Sequence, residues 1–131
     1  MIDELKIQDI IKKLQVISNT ERHLISIESN FSVYIIEVVP KSKSCTYQFY
    51  VGSTSKKIED RYEQHRLGGR LAGKVFKKKA TVGQILWEII NRFPKFKTRK
   101  VAEIAESEVA SWLSDLGFIV NCNKLKKKKS I

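Results

Sequence analysis

The chain has 131 residues, 42% of them hydrophobic and 30% charged, and its 25 Lys and Arg against 14 Asp and Glu leave a formal charge of +11. That length suits one domain able to bury a core without metal or disulfide help, and the excess of positive charge points to a polyanionic partner, nucleic acid or an acidic membrane. No apolar run approaches the roughly 20 residues of a membrane span, the acidic start at Asp3 and Glu4 is unlike a signal peptide, and Cys45 and Cys122 lack the C-x-x-C spacing of a zinc site or a disulfide framework, so the expected setting is soluble, cytoplasmic and directed at nucleic acid.

In chain order, "DELKIQDIIKKLQVI" places Ile7, Ile10, Ile11, Leu14 and Ile17 on one stripe at helical spacing, with acidic residues leading as the helix dipole favours. "SNTERHLISIESN" breaks the pattern. "FSVYIIEVV", rich in β-branched and aromatic residues, reads as a strand ending at Pro40, and "TYQFYVG" reads as its antiparallel partner across a turn-rich, basic link. After Gly52, "STSKK" offers hydroxyls suited to capping a helix over "KIEDRYEQHRLGG", which Gly68 and Gly69 close. "RLAGKVFKKKATVG" is a basic connection with room for a short helical turn. "VGQILWEIINRF" is expected as an apolar helix stopped by Pro94, and "KVAEIAESEVASWLSDLG" as a long amphipathic helix ending at Gly117. "FIVN" is a short final strand. The expected domain is α+β, a central three-stranded, mainly antiparallel sheet flanked by helices, with an extra N-terminal helix. Residues 1–25 form that helix and its connector, residues 26–123 the body, and residues 124–131 a disordered basic tail.

"SVY" in the first strand and "YVG" at the end of the second resemble the paired tripeptides of the GIY-YIG nucleases. The likeness runs on over residues 31–123. A helix after the second tripeptide carries Arg61 and, four residues on, His65; a later helix carries Glu106 ahead of apolar positions, the bend at Gly117 and an asparagine, Asn121 or the adjacent Asn123. Ser32 stands where the family usually has glycine, Val51 replaces an isoleucine, and the link between the tripeptides is longer than usual. Taken singly, each of these residues has an ordinary explanation in packing, turns or solvated charge; their order is what one site would explain.

The resemblance implies phosphodiester hydrolysis, which requires an activated water, stabilised phosphoryl oxygens and help for the departing oxygen. Tyr34 would be the general base or orient the water, and Tyr50 would position it or share that role. Arg61 would stabilise the developing charge and His65 assist the base. Glu106 would hold one Mg2+ or Mn2+ with waters and substrate oxygens completing the shell; Glu108 and Glu103 are the alternatives, and from Glu108 the third position onward is Ser111, a poorer match. Arg61 and His65, one turn apart, project together, while Ile58 and Tyr62 would anchor their helix to the sheet. Gly52 would let a phosphate approach the backbone. Lys56, Arg66, Arg70, Lys74, Lys77, Lys78, Lys79 and Asn121 would contact the substrate, the basic stretch from Arg66 to Lys79 tracking a phosphate backbone without reading sequence. The expected function is a divalent-metal-dependent endonuclease on double-stranded or branched DNA, with specificity left to a homodimer or a larger nuclease assembly. The competing expectation is a catalytically silent DNA-binding or interaction module of the same fold.

Overall fold

The first helix begins where the sequence supplies a carboxylate. In the computed structural model, which describes residues 2–21, 30–40, 48–78 and 80–121, Leu5 N–H donates to Asp3 Oδ1 (3.1 Å) at the start of α1 (Glu4–Asn19), satisfying one of the donors a helix N-terminus leaves open. Ile7, Ile10 and Leu14 are buried, and they belong to the same core as the sheet and the last long helix. α1 therefore packs on the body of the domain. Glu21 fastens its far end, accepting from Lys97 N–H (2.8 Å), Thr98 N–H (2.9 Å) and the Thr98 hydroxyl (3.0 Å).

The strands are β1 (Ser32–Pro40), β2 (Gln48–Thr54), β3 (Ala80–Ile85) and β4 (Ile119–Asn121), in the order β3-β1-β2-β4. β1 pairs antiparallel with β2 and β3, and β2 pairs parallel with β4. Among the described residues the architecture is α+β as expected, with four strands in the sheet instead of three. The added strand is β3, in a segment whose apolar spacing suggested the start of a helix. Ile85 pairs with Ile36 and Val82 with Val38, so an open edge of β1 recruits these residues, an outcome set by tertiary pairing and invisible in local periodicity. Gly83 helps: it is poor in a helix, and here a Cβ would lie 2.9 Å from that of Glu37. What remains of the expected helix is the single turn α4 (Trp87–Ile90), which ends well before Pro94.

α2 (Ile58–Leu67) follows β2, and Gly68 closes it at φ 69°, a conformation that costs other residues steric strain. The expected hydroxyl cap is absent. Lys57 occupies the capping position without a side-chain hydrogen bond, and Thr54 Oγ1 instead accepts from Lys56 N–H (3.0 Å). The Tyr62 hydroxyl donates to Gly83 O (2.8 Å), tying α2 to β3. A short α3 (Lys74–Lys78) precedes β3. α5 (Arg99–Asp115) starts at Thr98, whose hydroxyl accepts from Val101 N–H (3.2 Å), and buries Ala102, Ala105, Glu106, Val109, Ala110 and Leu113.

Candidate functional site

Residues directly opposite in an antiparallel ladder point to the same face of the sheet. Tyr34 pairs with Gly52 and Ile36 with Tyr50, so both tyrosines and the glycine share the face over which α2 lies. The Tyr34 and Tyr50 ring centroids are 6.2 Å apart. Tyr34 Oη and His65 Nε2 are 2.8 Å apart, and the His65 ring packs edge-on to Tyr50 with centroids 4.9 Å apart. Phe76 of α3 completes the group, 5.2 Å from Tyr50 and 5.0 Å from His65. Arg61, one turn before His65, donates through Nη1 to Gln64 Oε1 and to Leu71 O, each at 2.6 Å. Two strands and one helix thus bring Tyr34, Tyr50, Arg61 and His65 together.

Two glycines make this packing feasible, and one corrects an expectation. A Cβ on Gly52 would stand 2.6 Å from Tyr34 Cζ. The space above Gly52 holds the Tyr34 phenol and is not an approach for phosphate. Gly73 plays the same part for the other ring, since a Cβ there would stand 2.7 Å from Tyr50 Cε1.

Glu106 reaches the site from the opposite face. Its neighbour is Ser53, whose hydroxyl donates to Glu106 Oε2 at 2.5 Å, and alternation along β2 turns Ser53 away from Tyr50 and Gly52. Glu106 lies within the apolar stripe of its helix, between Ala102 and Val109, and is buried, whereas Glu103 and Glu108 are half-buried. Its charge still reaches Tyr34. Among the described residues no group of three or more His, Cys, Asp or Glu converges on one point. A single carboxylate steadied by a hydroxyl nevertheless suits a hard divalent ion that keeps most of its waters.

Burial dominates the electrostatics. Desolvation pushes the Tyr34 phenol far above its usual range, and Tyr50 and Glu106 add to this, while Arg61 acts in the other direction by charge and hydrogen bonding. Desolvation, helped by the Arg61 charge, lowers His65 to about 3, so the imidazole is neutral at pH 7. Tyr34 and His65 are each only 1% exposed.

The basic residues separate by position. Lys56 lies on the rim of a cavity of about 460 Å³ with Lys57, Lys95 and Trp87, beside the N-terminal end of α2. Lys95 Nζ donates to Ser32 Oγ there (2.6 Å). Arg66 is committed to Glu63 (2.8 Å). Arg70, Lys74 and Lys77 are exposed. The side chain of Lys78, and Lys79, Asn123 and the basic tail, lie outside the described residues. Asn121 stands opposite Tyr50 in the β2–β4 register, its Nδ2 3.5 Å from Gln48 Oε1.

Ser53, Gly73 and Phe76 were not assigned to the site from the sequence. Ser53 carries a usable signal, since it follows Gly52 and must face the other way; Gly73 and Phe76 carry none without the turn that places them. Comparison with protein-family models, with curated proteins and with solved structures gave no match for this chain.

Proposed function

We propose that this protein is a GIY-YIG-type endonuclease that hydrolyses DNA phosphodiester bonds with one divalent metal ion. The observation that carries the reading is the hydrogen bond between Tyr34 and His65, with Tyr50 and Arg61 packed around it. Those four residues are among the six that carry the sequence resemblance, and they meet in space from β1, β2 and α2. The net charge of +11 and the exposed Arg70, Lys74 and Lys77 support a phosphate-backbone partner. Among the described residues no helix is long and apolar enough to cross a membrane.

In this reading Tyr34 gives its phenol proton to solvent as substrate binds, then orients the attacking water and takes a proton from it as the bond to phosphorus forms and the bond to the departing oxygen breaks. Burial opposes the phenolate, so the Arg61 charge is what makes that step accessible. Tyr50 confines the water against Tyr34. Arg61 presents its guanidinium to the non-bridging oxygens, where negative charge grows. Glu106, oriented by Ser53, would hold the Mg2+ or Mn2+, which when bound stabilises the charge on the departing oxygen. The lysines around the neighbouring cavity and Arg70, Lys74 and Lys77 position the duplex.

A plasmid-nicking assay tests the reading. Wild-type protein should nick with Mg2+ or Mn2+ and stop with EDTA. Glu106→Gln should retain DNA binding, and Ser53 can still donate to the amide oxygen, but nicking should fall at least about 100-fold, more than loss of an outer-sphere partner costs. A wild type that binds DNA and never cuts with any metal would favour the silent binding module, a reading that the near-complete burial of Tyr34 and His65 also favours.

A further inference from the structure

The turn that follows α2 touches three of the four clustered residues. Leu71 O accepts from Arg61 Nη1 (2.6 Å), Gly73 N–H donates to His65 Nδ1 (2.9 Å), and the α-carbon of Gly73 lies against the Tyr50 ring. A backbone N–H can only donate. His65 Nδ1 must therefore be the unprotonated, accepting nitrogen. The neutral ring then carries its hydrogen on Nε2, and Nε2 is the atom 2.8 Å from Tyr34 Oη. Turning the ring over by 180° would put carbons at both contacts, so the two hydrogen bonds also fix its orientation.

We propose that residues 69–73 are the positioning element of the site, and that the Gly73 N–H locks His65 in the Nε2–H tautomer, making it a donor to Tyr34 and never the acceptor of the Tyr34 proton. The placement stands by itself; its catalytic consequence rests on the nuclease reading. This revises the role that the sequence resemblance implied for His65. A base that assists Tyr34 would need a vacant nitrogen facing the phenol, and the vacant nitrogen is turned to the backbone. His65 instead offers a hydrogen bond that strengthens as the phenol oxygen gains negative charge, acting alongside Arg61 on the same oxygen. The tyrosine's own proton goes to solvent when the phenolate forms, and the proton it takes from the attacking water returns to solvent, with His65 on neither path.

The turn carries Arg70 and leads into Lys74, and both face solvent. A nucleic-acid backbone drawn to them would press on the segment that sets Arg61, His65 and Tyr50 together.

Nitrogen NMR of protein labelled at histidine reads the tautomer directly, with His65→Gln used to separate the His65 signals from those of His23. At pH 7, Nε2 should appear protonated and Nδ1 unprotonated. Tyr34→Phe should leave that pattern in place, because the donor that dictates it is at Gly73. Replacing the 72–73 amide by an ester, in protein assembled by chemical ligation, puts an oxygen in place of the N–H and leaves every side chain unchanged. The His65 signals should then move toward an average of both tautomers, and nicking should lose at least about tenfold in kcat with KM unchanged. The reverse tautomer in wild type, or an ester variant with an unaltered pattern, overturns the proposal. The expected pattern in a protein that fails to cut with any metal supports the positioning role and removes only the nuclease reading.

Discussion

Glu21 and Glu106 are both buried carboxylates in a strongly basic protein, and both belong to the surroundings of α5. Glu21 sits at its N-terminal end. There the chain has backbone donors to spare, and Glu21 takes two of them together with the Thr98 hydroxyl. Glu106 sits in mid-helix, where every backbone N–H is already committed to the helix. It must be held by side chains, and Ser53 of a neighbouring strand supplies one hydroxyl. A buried acid at a helix start closes a structural account with the backbone alone. A buried acid in the middle of a helix relies on side chains, and that is the arrangement a metal site would use.

The largest effect should therefore fall on folding at the helix end. Glu21→Ala strands the Lys97 and Thr98 donors and unfastens α1 from α5, which should cost about 2–4 kcal/mol in urea melts. If the proposed function is right, whatever fraction stays folded should bind DNA to the same extent as wild type. A Glu21→Ala protein of wild-type stability would break the comparison.

His65 supplies the next effect, on the site side. The folded pKa is about 3, against roughly 6.5 for an unfolded histidine. Between those values the unfolded chain binds a proton that the folded one refuses, so stability falls as pH drops through that window and is unaffected above it. The contribution should approach about 1.4 kcal/mol per pH unit. Subtracting urea melts of His65→Gln from those of wild type at pH 7 and pH 5 isolates it from the carboxylates. A difference that does not change with pH would mean that His65 is protonated in the folded protein, against the hydrogen bond from Gly73.

Much of this arrangement was legible in the sequence because it depends on short-range pattern. The β1–β2 hairpin, α2 with Arg61 and His65 one turn apart, and the amphipathic α5 all follow from periodicity and glycine punctuation. The parts that were missed depend on pairings between distant segments. β3 exists because β1 has an edge to fill, and its residues could equally have continued into α4. Glu21 lay in a connector without periodicity, and its purpose appears only when residues 97 and 98 come beside it. Gly52 was read as room for a ligand, whereas the register across the hairpin fills that room with Tyr34. The direction of the His65 hydrogen bond required a backbone N–H from eight residues downstream.

The smallest effect should come from the other acid that ties down α1. Glu4, in the first turn, accepts from Arg92 Nη2 at 2.6 Å and from Arg92 Nη1 at 3.1 Å, a two-pronged contact. By geometry it matches anything made by Glu21. The side chains, however, are 55% and 42% exposed, so water screens the attraction and both chains lose freedom by meeting. Arg92 holds the Glu4 carboxyl below its usual range, and any stabilisation would be present above the unfolded carboxylate pKa and lost as acid protonates the group. Glu4→Gln should nevertheless leave the melting temperature within measurement error at pH 7, and 1 M salt should not separate the variant from wild type. A loss comparable to that of Glu21→Ala would mean that the strength of these anchors follows contact geometry, and that burial is not what sets the two ends of α1 apart.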